Sequence, residues 1–74
     1  MDIEMLTLGT RVRTECNGPG TVIGRRIGGC VEGLLDEGAL IGENAVTVWI
    51  AHLGVPPETI RLTCRPSSIL EILS

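Results

Sequence analysis

The sequence predicts an all-β fold: a small antiparallel barrel of five to six short strands. Three observations carry this expectation. Short runs alternate apolar and polar residues, the period of a half-buried strand. Clusters of Gly, Pro and Asn interrupt those runs at close intervals. The apolar residues are almost all aliphatic: Ile, Leu and Val supply 23 residues, while Phe and Tyr are absent and Trp49 is the only aromatic.

In residues 1 to 8 an acidic and apolar lead-in can pair as a strand or fray. Residues 10 to 14 alternate Val12 against Arg11 and Arg13, as a strand with one solvated face does. Asn17-Gly18-Pro19-Gly20 offers positive-φ positions and one fixed φ, so it reads as a turn. Residues 21 to 27 make the next strand, and Gly28-Gly29 is a two-residue hairpin signal leading into residues 30 to 35. Residues 36 to 44, with Gly38, Gly42 and Asn44, read as a long loop. A helix over 31 to 40 competes, because Val31, Leu34 and Leu35 share helical spacing. Gly33 and Gly38 oppose it by about 1 kcal/mol each.

Residues 45 to 51 are the clearest strand, with Val46, Val48 and Ile50 alternating with Thr47 and Trp49. Residues 52 to 58 are excluded from a central strand by Pro56 and Pro57, which lack ladder donors, and His52 reads as a loop residue. Residues 60 to 65 alternate Ile60, Leu62 and Cys64 against Arg61, Thr63 and Arg65. Pro66 and two serines form a corner before a last strand over 69 to 73. A barrel that closes its own edges is the economical way to arrange so few residues.

Seventy-four residues point to one domain over 1–74. A chain this short buries only about 60% of its unfolded surface, so its core calls for a supplement. Positive mean hydropathy and the segment Leu34, Leu35, Leu40 and Ile41 indicate that the supplement is self-association into a homo-oligomer. Cys16, Cys30 and Cys64 are odd in number, lack framework spacing and follow no signal-peptide pattern, which fits a reducing cytoplasm. No apolar run approaches the roughly 18 residues of a membrane span.

The net charge is −3, unevenly spread. Residues 11 to 26 carry four Arg against one Glu, while residues 27 to 58 carry five acids and no base. Every basic side chain is Arg. Arg11 and Arg13 leave one strand on the same face, as do Arg61 and Arg65 on another, with Arg25 and Arg26 between them in sequence. Should those strands lie close, their guanidinium groups form a surface suited to phosphate or carboxylate. The competing reading is a solvated face paired with the chain's own acids.

The Gly9-x-Arg11-Val12 strand, the Gly18-Pro19-Gly20-Thr21-Val22 turn and strand, and the Val46-Thr47-Val48-Trp49 strand resemble small SH3-like barrels. KOW, Tudor-like and CarD-type modules are the most similar in pattern, over roughly residues 8 to 73. The resemblance implies an SH3-like barrel that works as a binding module. Several jobs of such barrels are excluded by missing residue types. A methyl-lysine cage, a proline-peptide groove and a base-stacking platform each need several aromatics, and only Trp49 is present. The strand Val46-Thr47-Val48-Trp49 also lies roughly where the plasmid-borne dihydrofolate reductases, four small SH3-like barrels around one pore, carry a Gln-Ile-Tyr active-site strand. With no Gln, Lys or Tyr in the chain, neither that activity nor its cofactor is expected.

The remaining constellations lead to simpler readings. Cys16, Cys30, Cys64 and His52 lack the paired spacing of a structural zinc site, so no metal is expected. Gly18 to Gly24 lacks the ending of a phosphate loop. Asp36, Glu37 and Glu43 read as solvated loop acids. The expectation is therefore a non-enzymatic module for protein–protein contact and self-association, using Trp49 and the apolar loop of Leu34, Leu35, Leu40 and Ile41. The alternative is a nucleic-acid-binding module using the arginine face of Arg11, Arg13, Arg61 and Arg65, disfavoured by the overall acidity.

Overall fold

The computed structural model describes residues 1–36, 38–52 and 58–74. These form six antiparallel strands, with no α-helix among the described residues. The strands are β1 (Arg11–Thr14), β2 (Gly18–Ile27), β3 (Cys30–Gly33), β4 (Ala45–His52), β5 (Glu58–Cys64) and β6 (Ile69–Ile72). Their order across the sheet is β5-β4-β2-β1-β6, and β3 also pairs with β2. The chain is all-β, a small barrel-like antiparallel sheet.

β2 organises the rest. One flank of it is shared: β1 lies along Gly18–Thr21 and β3 along Gly24–Ile27. The other flank is taken by β4 from Thr21 to Arg26, with a register shift between Val22 and Gly24 that bends the strand. The strand begins earlier than the sequence suggests. The turn is Glu15-Cys16-Asn17, and Gly18-Pro19-Gly20 already belongs to β2. Gly18 at φ +72 closes that turn, Asn17 N–H donates to Thr14 Oγ1, and Thr14 Oγ1 donates to the Gly18 carbonyl. Pro19 is tolerated because the pairing with β4 starts only at Thr21.

Other boundaries move as well. The lead-in is neither a strand nor frayed: Ile3–Met5 makes a 3₁₀ turn, capped by the Asp2 carboxylate, and it drives Ile3 and Leu6 into the core. β3 stops at Gly33, and no helix forms among the described residues of 31 to 40. Gly33 sits at φ +69, a left-handed conformation that ends the pairing. His52 and Glu58 are strand ends paired with each other across β4 and β5, not loop residues. Glu37 and residues 53–57, including Pro56 and Pro57, lie outside the described residues. The corner at Pro66–Ser68 is a second 3₁₀ turn.

One core fills the concave side of the sheet: Ile3, Leu6, Val12, Val22, Val46, Val48, Ile50 and Ile69 are buried, with Ile27, Leu62, Cys64 and Ile72 packed against them. It is aliphatic throughout. The expected closure of the barrel does not occur. Among the described residues β5 and β6 each pair on one side only, because β3 lengthens the flank of β2 instead of bridging the seam, and β6 has only four residues.

Candidate binding face around Trp49

Residues directly opposite one another on antiparallel strands share a face. The registers pair Arg11 with Thr21, Thr21 with Trp49, and Trp49 with Arg61. Four strands therefore contribute one continuous row on the convex side: Arg11, Thr21, Trp49, Arg61. Trp49 is out of the core by alternation, since Val48 and Ile50 on either side of it are buried, and it remains 44% exposed. The next row on this face carries Arg13 and Pro19 from β1 and β2, and Ala51 and Thr59 from β4 and β5. Between the rows lies a groove of about 330 Å³ lined by Arg11, Pro19, Gly20, Thr21, Trp49 and Ala51.

The four arginines singled out in the sequence separate into two pairs. Arg13 forms an ion pair with Glu71 of β6. Arg65 lies beyond the end of β5 and makes a two-pronged bond to Glu43, Nε and Nη2 each 3.2 Å from a carboxylate oxygen. Arg11 and Arg61 have no acid partner among the described residues. Strand order explains the split. β1 and β5 are not neighbours, yet the two strands between them align Arg11 and Arg61 in register on either side of Trp49. Three strand spacings of about 4.8 Å put their Cα atoms about 14 Å apart.

Arg25 and Arg26 serve the fold, a role that sequence alone does not signal because their partners are backbone carbonyls. Arg25, whose side chain is only 13% exposed, pairs with Glu32 at 3.0 Å and donates to the carbonyls of Ile3 and Glu4. Arg26 donates through one nitrogen to the carbonyls of Ala39, Leu40 and Glu43, pinning the loop between β3 and β4. This loop lies on the outer face at the end away from Trp49. It shields Thr47, whose hydroxyl meets Thr63 Oγ1 at 2.9 Å, and Thr63 in turn donates to Asp36. Of the predicted interface residues, Leu34 and Ile41 are 57% and 79% exposed, while Leu35 and Leu40 are half-buried.

A second cleft of about 190 Å³ opens beside the β1–β2 turn, lined by Thr14, Glu15, Cys16, Asn17, Leu62, Cys64 and Ser68. It lies where the seam between β5 and β6 is open. Burial pushes the Cys64 thiol above its ordinary pKa, so it resists ionising to the reactive thiolate. Among the described residues, no three His, Cys, Asp or Glu side chains gather as metal ligands would, and no helix is long and apolar enough to cross a membrane.

No protein-family model, curated protein or solved structure matches this chain.

Proposed function

We propose that this chain is a non-enzymatic binding module of SH3-like pattern, akin to the KOW, Tudor-like and CarD-type barrels. It engages a protein partner through the Trp49 face and self-associates through Leu34, Leu35, Leu40 and Ile41. The observation that carries the reading is the row Arg11–Thr21–Trp49–Arg61: an exposed indole between two arginines without acid partners among the described residues. Trp and Arg are the side chains most enriched at the energetic centres of protein interfaces. Exposed Leu34 and Ile41 support self-association. Three free cysteines support a reducing, cytoplasmic setting.

The test uses the only aromatic residue in the chain as its own reporter. A protein partner retained by the wild type should shift Trp49 emission and should be lost by Trp49→Ala, with the sheet intact by circular dichroism. A variant that keeps every partner refutes the reading. A second reading, nucleic-acid binding, is favoured by the same two arginines. It requires affinity that falls steeply with salt and that disappears in the Arg11→Gln, Arg61→Gln double variant. Arg13 and Arg65 are poorer candidates for that role, since Glu71 and Glu43 already neutralise them.

A further inference from the structure

We infer that the row Arg11–Thr21–Trp49–Arg61, with the groove beside its Arg11 end, takes an extended acidic peptide segment with a side-chain order of acid, apolar, acid; the inference rests on the protein-binding reading above. Three arginines, Arg13, Arg25 and Arg65, hold a glutamate, and Arg26 holds backbone carbonyls. Arg11 and Arg61, both exposed, are the two left without an acid among the described residues, and they occupy the two ends of one row. A guanidinium fork matches a carboxylate in geometry and charge.

Spacing then selects the ligand's shape. An extended chain advances about 3.3 Å per residue and turns alternate side chains to the same side. Residues i, i+2 and i+4 of a peptide laid across the strands would therefore face the sheet over about 13 Å. That matches the roughly 14 Å between the ends of the row. Acids at i and i+4 would meet Arg11 and Arg61. The side chain at i+2 would fall over Trp49 and Thr21, beside the apolar walls offered by Pro19 and Ala51.

A single strand of nucleic acid fits less well. Such strands bind by stacking successive bases on several aromatics, and this face has one. The chain also carries nine acids against six arginines, which opposes approach by a long polyanion more than by a short peptide.

Trp49 emission tests the inference directly. The probe is the synthetic peptide acetyl-Glu-Thr-Leu-Thr-Glu-amide, compared with the same peptide carrying Gln for Glu and with a short oligo(dT). The acidic peptide should shift the emission saturably, at a Kd of about millimolar or below. The Gln peptide should bind at least about tenfold more weakly, and Arg11→Gln and Arg61→Gln should each cost a similar factor without altering the circular dichroism. Equal binding of the Gln peptide, no saturable response to the acidic one, or indifference to both arginine variants overturns the inference. Tighter, salt-sensitive binding of oligo(dT) overturns it in favour of nucleic acid. A host protein lost by Trp49→Ala but retained by the double arginine variant would sink the acidic-peptide inference while leaving the protein-binding reading in place. Retention by Trp49→Ala would sink the reading itself.

Discussion

At the scale of single residues, the molecule depends on atoms it lacks. Gly24 follows the bend in β2, and a Cβ there would collide with the backbone carbonyl of Leu34. Because the obstacle is main chain, it cannot be relieved by a rotamer change. Gly24→Ala should therefore destabilise the protein by about 2–4 kcal/mol, seen as a lower urea midpoint at unchanged slope. Cysteine chemistry differs site by site for a reason of the same scale. Cys16 and Cys30 are exposed, whereas the Cys64 thiol is half-buried and its pKa is raised by desolvation. Iodoacetamide should label Cys16 and Cys30 on the native protein before Cys64, as mass spectrometry of the peptides will show. The raised pKa also sets the sign of a pH effect. The folded state holds the Cys64 proton more tightly than the unfolded chain does. Its contribution is complete below the thiol pKa of the unfolded chain and declines as the pH rises above it. The urea midpoint should fall on the alkaline side of about pH 8.5, and fall less in Cys64→Ala.

At the scale of elements, the β3–β4 loop is held by an unusual set of bonds. One Arg26 nitrogen serves three carbonyls, and one of them belongs to Leu40, the only described non-glycine residue with a positive φ, at +50°. That conformation costs a leucine about 1 kcal/mol or more, and the Arg26 bonds help to offset it. Arg26→Gln should release the loop, costing about 1–3 kcal/mol and accelerating amide hydrogen exchange across residues 38–43 while the rest of the sheet stays protected. The same geometry makes Leu40 a poor probe of assembly. A charge placed there would act on a half-buried, strained turn and on any interface at once.

At the scale of the whole molecule, two features bear on the proposed self-association. Among the described residues the sheet is open between β5 and β6, and Leu34 and Ile41 are exposed on the loop that Arg26 holds. The self-association proposed above would cover such residues without altering the fold. Light scattering should report a dimer or tetramer at micromolar concentration, and a monomer there rejects the assembly. Leu34→Asp and Ile41→Asp should each shift the population towards monomer. Being exposed, both should change monomer stability by only about 0.5 kcal/mol.

Strand alternation was readable from residues alone wherever one face is buried, because a period of two is a local property of the chain. It set Val12 apart from Arg11 and Arg13, and Val46, Val48 and Ile50 apart from Thr47 and Trp49; those four aliphatic residues are buried and Trp49 is exposed, while Thr47 is buried beneath the β3–β4 loop. The Gly28-Gly29 hairpin was legible for the same reason, with Gly28 at φ +57. Gly18-Pro19-Gly20 misled because turn chemistry and strand entry call for the same residues; the partner strand beside Pro19 decides between them. The candidate site was only half legible. Residue types pointed to Trp49 and four arginines, but which arginines meet depends on strand order and register, which join positions as distant in sequence as 11 and 61. Whether an arginine is free or spent on Glu71 or Glu43 is likewise a matter of long-range contact. Residues alone carry the class of fold and the inward faces of β1 and β4, whereas β3 is exposed along its whole length. Long-range pairing decides that β5 and β6 stay apart among the described residues, that Arg26 ties the loop, and that Arg11 and Arg61 lie on either side of Trp49, because pairing partners are chosen by the whole sheet and not by any segment within it.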